Sequence, residues 1–307
     1  MELLNYLSKN IQDTINIPII LSKMNQLEEI RIRVNKNLIL RFNQDELLTN
    51  YIVTVKDILE TLEKITENSI YTYEKQISQG FITLPGGHRV GIVGNAIAEK
   101  NEIINISFIS GMNFRIARQV KNCGNFILEK IYNRGIFQNT LIVGSPGSGK
   151  TTLLRDLIRQ ISNGNKFSKG LNVGVVDERN EIAAMYKGQE QTDLGIRTDV
   201  MAGIQKNIGI KLLIRSMAPD VIAVDEIGGR LDCESIYYAM CSGTKVLLTC
   251  HGNSFEDVKK NLELNQLLNN YTIERVIVLD SNIKEKAKQI YFLDKEKENY
   301  LKNAYNY

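Results

Sequence analysis

One short segment restricts the fold of this 307-residue chain more than any other. The segment GSPGSGKT begins at Gly144 and matches the pattern G-x-x-x-x-G-K-[ST] at every fixed position. An apolar run at 139–143 comes directly before it, and a helical pattern at 150–162 follows. In this strand–loop–helix context, consecutive backbone N–H groups surround phosphate oxygens, and the helix dipole adds to the anion site. The sequence therefore predicts a phosphate-binding loop on an α/β sheet.

The residues of this loop have distinct expected roles. Lys150 is expected to reach the β- and γ-phosphates, and the hydroxyl of Thr151 to be a ligand for Mg²⁺. No Asn-Lys-x-Asp segment follows the loop, which disfavours GTP, so we predict ATP and Mg²⁺ as the cofactors. The predicted nucleotide-binding residues are Gly144, Ser145, Pro146, Gly147, Ser148, Gly149, Lys150, Thr151 and Thr152.

A second apolar run ends in two carboxylates. The segment VIAVDE at 221–226 has the four apolar residues of a buried parallel strand, and the C-terminal ends of such strands face the ligand crevice. We expect Asp225 to hold Mg²⁺, beside Thr151. Glu226 is expected to accept the proton of the attacking water or to orient that water.

Two further apolar runs end in polar residues. LNVGVVDERNE continues from its apolar run into Asp177, Glu178, Arg179 and Glu181, and TKVLLTCH ends in His251. Acids at a strand end can form a solvated loop, but beside a phosphate-binding sheet we favour a role at the site. For His251, periodicity leaves two interpretations open, a hydrogen-bonded loop residue and a sensor of the γ-phosphate.

The first part of the chain has the mixed pattern of a small α+β domain. Alternating charged and apolar residues at 28–42 are typical of strands with one exposed face. Helical spacing extends from Thr54 to about Ser69, and a Pro-Gly-Gly turn within 79–98 indicates a hairpin. The predicted division is a small α+β domain at 1–120, a linker and lead-in helix at 121–138, and a parallel α/β domain at 139–307.

The N-terminal residues predict a short amphipathic helix. Leu3, Leu4, Leu7, Ile11 and Ile15 share one helical face within 3–15. We favour a helix that packs on its own domain, and contact with a membrane or a partner is the alternative.

Composition excludes several classes of protein. With 38 Lys and Arg against 35 Asp and Glu, the net charge of +3 gives no warrant for a dedicated nucleic-acid binder. No apolar run approaches the roughly 20 residues that span a bilayer, and the N-terminus lacks the basic start of a secretory signal. The four cysteines form no C-x-x-C pair, so we expect reduced thiols. We therefore predict a cytoplasmic protein without a stable nucleic-acid partner.

The order of these motifs resembles the secretion ATPase superfamily of type II and type IV systems. Those ATPases carry a Walker A loop, an acidic box, a Walker B strand and a histidine box in this order. The corresponding segments here are GSPGSGKTTLLRDL, VVDERNEIA, VIAVDEIGG and LLTCHGNSFED. The closer resemblance is to the family of stage III sporulation protein AA, through DERNEIA, GIRTDVM, IRSMAPDVI and the N-terminal EEIRIRVN. The resemblance extends from about Glu28 to Asp257.

This resemblance implies an α/β fold with a RecA-like P-loop ATPase domain, preceded by the smaller α+β domain. It implies a homo-hexamer that is peripheral to the inner face of a membrane, on the mother-cell side, with membrane-embedded channel proteins of a sporulation complex as partners. By position, Glu178 takes the acidic-box role and His251 the γ-phosphate role. The chain departs from the superfamily at Asp225, because secretion ATPases generally have Gly-Glu where this chain has Asp-Glu.

A hexameric motor needs a cation on the γ-phosphate in the transition state, commonly an arginine of the same or a neighbouring subunit. Arg215 and Arg230 flank the predicted Walker B strand, and we select Arg215 together with Arg118 of the N-terminal domain. The predicted catalytic residues are Glu226, Glu178, His251, Arg215 and Arg118.

Three functions fit these motifs. The first is an ATP-hydrolysing motor or assembly ATPase of a transenvelope channel, and we favour it. The second is a nucleic-acid-handling P-loop ATPase that is not tied to a channel. The third is a non-catalytic scaffold that uses ATP only to close a ring, and the presence of Glu226 argues against it.

Overall fold

The computed structural model describes residues 2–43, 45–99, 102–270, 272–280, 287–294 and 299–303. The chain divides into two compact units. Unit 1 comprises Met1–Arg118 and Ala184–Gln191, and unit 2 comprises Gln119–Ala183 and Thr192–Tyr307.

Unit 1 is built on a six-stranded antiparallel sheet with the strand order β3-β2-β1-β6-β5-β4. Its strands are β1 (Leu27–Arg33), β2 (Asn37–Phe42), β3 (Glu46–Ile52), β4 (Phe81–Thr83), β5 (Arg89–Glu99) and β6 (Glu102–Arg115). Its helices are α1 (Lys9–Ile15), α2 (Pro18–Leu21), α3 (Val55–Ile65) and α4 (Glu74–Ser78). The mixture of helices and antiparallel strands is the one that the sequence patterns predict.

The N-terminal helix contributes to the core of unit 1. A 3₁₀ turn precedes α1, and Leu3, Leu7, Ile11 and Ile15 are all at most 1% exposed. They pack in one apolar cluster with the buried faces of the sheet and of α3. Burial of this kind supplies most of the stability of an amphipathic helix. The apolar face of α1 is thus used within its own unit.

A short segment that follows the acidic box belongs to unit 1, although its residues lie within the range 139–307 that the sequence assigns to the ATPase domain. Within Ala184–Gln191, Tyr186 donates a hydrogen bond to Glu67 Oε1 at 2.6 Å, and Lys187 Nζ lies 2.7 Å from Glu67 Oε2. The Gln191 side chain accepts the N–H of Gly86 at 2.8 Å. These long-range contacts, which no local pattern encodes, place the segment in the N-terminal unit.

Unit 2 contains an eight-stranded, mostly parallel sheet with the order β13-β12-β14-β15-β9-β16-β17-β18, in which β17 pairs antiparallel with both β16 and β18. Its sheet strands are β9 (Thr140–Gly144), β12 (Val173–Asp177), β13 (Thr198–Ala202), β14 (Val221–Val224), β15 (Lys245–His251), β16 (Arg275–Leu279), β17 (Ala287–Asp294) and β18 (Asn299–Asn303). Two small hairpins are formed by β7 (Tyr132–Asn133) with β8 (Ile136–Phe137) and by β10 (Gly164–Asn165) with β11 (Ser168–Lys169). The helices are α5 (Asn125–Leu128), α6 (Lys150–Asn163), α7 (Lys206–Met217), α8 (Arg230–Cys241), α9 (Phe255–Lys260) and α10 (Leu262–Asn269).

Parallel pairing brings the carboxyl ends of four strands to one edge of this sheet. Gly144 at the end of β9 is opposite His251 at the end of β15. Leu248 of β15 is opposite Val224 of β14, which is in turn opposite Val176 of β12. Loops that follow these strands therefore meet along one edge, as is typical of ligand sites in open α/β sheets.

The lead-in to this sheet is not one continuous helix. The range 121–138 contains the single turn α5, a 3₁₀ turn and the β7–β8 hairpin. Asp156 of α6 is 1% exposed and accepts the N–H groups of Asn122 and Gly124 at 2.9 and 2.7 Å. A buried carboxylate thus anchors the start of the lead-in to α6.

Within the described ranges, no helix has the length and apolarity to cross a membrane.

Candidate nucleotide-binding site

The loop between β9 and α6 adopts a conformation that requires glycine. Gly147 and Gly149 have φ values of 77° and 92°, in the left-handed region that side chains disfavour. A Cβ atom at Gly144 would overlap the hydroxyl of Ser148, which donates to the carbonyl of Ser145 at 2.8 Å. The two fixed glycines of the motif thus have different explanations, since Gly149 needs its left-handed backbone and Gly144 leaves room for the Ser148 hydroxyl.

The start of α6 provides free donors for an anion. The first N–H groups of a helix have no intrahelical partner. Among the residues that the structure describes, none accepts a hydrogen bond from the N–H of Lys150, Thr151 or Thr152. These donors, at the positive end of the helix dipole, fit the phosphates of a nucleotide.

Lys150 is a largely buried cation, with 5% of its surface exposed. Its Nζ lies 3.1 Å from the carbonyl oxygen of Ser145 and 3.3 Å from Nδ1 of His251. Burial lowers the pKa of the Lys150 ammonium, and the charges of Asp225 and Glu226 act in the opposite direction. The ammonium has thus lost most of its water and is available to a phosphate.

Asp225 and Thr151 form a pair of oxygen ligands. Asp225 directly follows β14, and its Oδ2 accepts a hydrogen bond from the Thr151 hydroxyl at 2.7 Å. Magnesium prefers oxygen ligands and is commonly held by one or two protein groups together with phosphates. The hydroxyl and the carboxylate therefore fit a Mg²⁺ ion beside the loop.

Glu226 is held from both sides by cationic or polar groups. Its Oε1 lies 3.0 Å from Nε2 of His251, and its Oε2 lies 2.7 Å from Arg179 NH1. The backbone of Glu226 is left-handed, with φ of 53°. Since His251 also contacts Lys150, the histidine connects the predicted base to the lysine of the loop, and its role at the γ-phosphate stays a prediction.

The acidic box separates into a structural and an accessible carboxylate. Asp177 is 2% exposed, and its oxygens accept three backbone N–H groups at 2.7 to 3.0 Å. Burial raises the pKa of Asp177, and these hydrogen bonds only partly compensate. Glu178 instead pairs with Lys206 Nζ at 2.7 Å. One cavity is lined by Val176, Asp177, Glu178, Arg179, Glu181, Lys206, Asp225 and Glu226. Glu178 therefore shares a cavity with the Walker B carboxylates.

The two selected arginines belong to different units. Arg215 is exposed in the last turn of α7, and because β14 begins four residues after that helix ends, this turn lies towards the amino edge of the sheet, away from the loop. Arg118 belongs to unit 1, where its NH2 donates to the carbonyl of Leu27 at 2.8 Å. The structure thus does not bring Arg215 to the site of its own chain, and it ties Arg118 to a main-chain acceptor.

Three site residues were not predicted from the sequence: Arg179, Lys206 and Thr249. Arg179 was visible within DERNE, directly after the acids. Thr249 precedes His251 by two residues, and strand alternation places both on one face of β15. Lys206 had no local signal, because only the packing of α7 beside β12 brings it to Glu178.

Comparisons with known proteins agree with this geometry. The family model for sporulation stage III, protein AA matches residues 2–298. Stage III sporulation protein AA of Bacillus subtilis (strain 168) is 37% identical over 254 residues, which cover 83% of this chain and 82% of that protein.

Solved structures of two secretion-type ATPases share the fold. The Legionella pneumophila ATPase DotB matches with a TM-score of 0.59 at 16% identity, over 91% of this chain and 80% of that one. The pilus retraction motor PilT, solved with bound ADP, matches with a TM-score of 0.58 at 13% identity, over 85% and 76%. The fold is therefore the RecA-like α/β fold that the sequence predicts. The chain belongs to the family of sporulation stage III protein AA.

Proposed function

We propose that this chain is a Mg²⁺-dependent ATPase that works as a homo-hexameric motor or assembly ATPase of a sporulation channel. One observation carries the proposal. A single edge of the sheet brings together the buried cation Lys150, the Thr151–Asp225 oxygen pair and the glutamate Glu226, which contacts His251. These are the groups that binding and hydrolysis of a nucleoside triphosphate require.

Each group has a part in the proposed reaction. The free N–H groups at the start of α6 and the Lys150 ammonium bind the phosphates, and Thr151 and Asp225 would hold the metal. A bound Mg²⁺ would neutralise charge on the phosphate oxygens. Glu226 accepts the proton of the water that attacks the γ-phosphate, and the products are ADP and inorganic phosphate. His251 and Arg179 fix the Glu226 carboxylate before that transfer.

Removal of the metal tests the enzymatic part of the proposal. Purified protein is expected to release inorganic phosphate from ATP. The release should stop when excess EDTA is added and resume when MgCl₂ is restored. A Glu226→Gln sample, prepared identically, measures contaminating hydrolysis. Turnover that continues in EDTA would contradict the assigned metal site.

The proposed position of this chain at a sporulation channel rests on the family to which the chain belongs. The relative from Bacillus subtilis is a stage III sporulation protein, and we propose a peripheral place for this chain on the mother-cell side of a membrane, with channel proteins as partners. In fractionated sporulating cells, the protein is expected in the membrane pellet, and alkaline carbonate should release it. Recovery only in the supernatant of such cells would contradict this position.

A further inference from the structure

One buried hydroxyl connects both carboxylate residues of the site. Thr249 of β15 is 0% exposed, and its Oγ1 donates to Asp225 Oδ1 and accepts the N–H of Glu226 at 2.8 Å. The carbonyl of Thr249 accepts the N–H of Ile227 at 2.8 Å. Thr249 therefore contacts three consecutive residues that follow β14.

The hydroxyl restricts the orientation of Asp225. While Oδ2 accepts from Thr151 at 2.7 Å, Oδ1 accepts from Thr249 and, at 3.1 Å, from the N–H of Glu226. With partners on both oxygens, the carboxylate cannot rotate without breaking hydrogen bonds. The oxygen beside Thr151 is thus fixed by a group on a neighbouring strand.

The same hydroxyl supports the backbone of Glu226. A left-handed φ of 53° is uncommon for a residue with a side chain and persists only where the surroundings enforce it. The hydrogen bond from the Glu226 N–H to Thr249 is such a constraint. This backbone conformation places the Glu226 carboxylate between His251 and Arg179.

We propose that Thr249 is a positioning residue that aligns the metal-binding Asp225 with the base Glu226 through its hydroxyl. The inference rests on the ATPase function proposed above and adds a fully buried residue that acts through its hydrogen bonds to Asp225 and Glu226. Groups that orient metal ligands from outside typically change activity or metal affinity by roughly 10- to 100-fold when removed. A threonine that only filled the core would need its methyl group and not its hydroxyl.

The test compares Thr249→Ser with Thr249→Ala, since the two variants differ by one oxygen atom. The control is Thr140→Ala, because Thr140 is also 0% exposed but lies at the start of β9, where its hydroxyl donates to the carbonyl of Gln138. Steady-state kinetics give kcat and KM for ATP. Calorimetry with ADP, with and without MgCl₂, gives the gain in affinity that Mg²⁺ provides.

We expect Thr249→Ala to lower kcat roughly 10- to 100-fold, with little change in KM, and to lose most of the Mg²⁺-dependent gain in ADP affinity. Thr249→Ser and Thr140→Ala should retain both. If Thr249→Ala does not fold, Thr249→Val removes the hydroxyl at nearly constant volume and provides the same comparison.

Two results would overturn the inference. One is a folded Thr249→Ala or Thr249→Val protein with wild-type kcat and wild-type Mg²⁺ gain, and the other is a Thr249→Ser protein as impaired as Thr249→Ala. A wild type that does not hydrolyse ATP counts against the proposed function instead. In that case, the calorimetric comparison still decides the role of the hydroxyl.

Discussion

Lys150 is the residue on which we expect phosphate binding to depend most. It is nearly buried, burial lowers the pKa of its ammonium, and its contacts within the chain are a carbonyl oxygen and a histidine nitrogen. Lys150→Ala should therefore abolish measurable binding of Mg²⁺·ADP in calorimetry. Lys169→Ala is the matched control, because Lys169 is an exposed lysine of the same unit. Wild-type affinity in Lys150→Ala would refute the loop assignment.

A substitution of Glu226 is expected to separate the binding of ATP from its hydrolysis. Glu226→Gln keeps the size of the side chain and its capacity to contact His251 and Arg179, but it removes the proton acceptor. A general base commonly contributes 10²- to 10⁴-fold, so we expect ATP to bind and single-turnover phosphate release to slow by at least about 100-fold. The control is Glu234→Gln, which alters an exposed acid that pairs with Arg230 on α8. Equal rates in Glu226→Gln and wild type would remove Glu226 from the mechanism.

Sequence alone predicts the residues of the site that act through a local motif. Lys150, Thr151, Asp225 and Glu226 lie at fixed positions of motifs at strand ends, and the structure brings them together. The hydrogen-bond partners of these residues, in contrast, depend on which strands are neighbours in the sheet. Thr249 and Arg179 reach the carboxylates only because β15 and β12 flank β14 in the sheet, and strand order is not written in any local pattern.

At the scale of elements, a buried carboxylate organises the N-terminal end of α3. Asp57 is 0% exposed and accepts hydrogen bonds from the hydroxyls of Ser8, Tyr51 and Thr54 at 2.7 Å each. Thr54 and Asp57 also form a capping box. Burial by itself raises the pKa of the Asp57 carboxyl, but the hydrogen bonds outweigh this effect and hold the pKa below its ordinary value of 3.8.

This cluster predicts a pH-dependent loss of stability. Because the pKa of Asp57 is lower in the folded than in the unfolded chain, the charged form stabilises the fold above about pH 4, and this contribution disappears as the pH falls through the folded pKa. Asp57→Asn should lower the free energy of unfolding by about 2 kcal/mol at pH 7 and by less at pH 3, measured by urea titration. Asp13→Asn, at an exposed acid of α1, should change it little. A pH-independent difference would exclude this role of the Asp57 charge.

The boundaries of helices and strands show where local sequence patterns do not suffice to predict the structure. The strand and helix around the phosphate-binding loop lie within a residue of the expected ranges, because apolar runs and glycines specify them directly. The helix expected from Thr54 to about Ser69 ends at Ile65 instead. Glu67 and Asn68 adopt left-handed φ values of 50° and 61°, which terminate the helix and which side-chain spacing does not reveal.

At the scale of the whole molecule, the proposed ring would give Arg215 a site to act on in a neighbouring subunit. Arg215 is exposed and lies away from the loop of its own chain, so a neighbouring subunit is where an arginine such as this could act. Light scattering of Glu226→Gln should show a shift to a hexamer when Mg²⁺·ATP is added. Lys150→Ala, which cannot bind nucleotide, should not shift. A monomer or dimer of Glu226→Gln in both conditions would contradict a nucleotide-closed ring.

Because Ala184–Gln191 belongs to the N-terminal unit, the ribosome supplies the residues of that unit in two separate stages. When the ribosome has made the first 118 residues, Glu67 still lacks the tyrosine and lysine that pair with it. Those residues emerge only after the phosphate-binding loop and α6 have been translated. All residues of unit 1 are therefore present only after this part of unit 2 has been translated, and a cut after Arg118 leaves the first fragment without Ala184–Gln191.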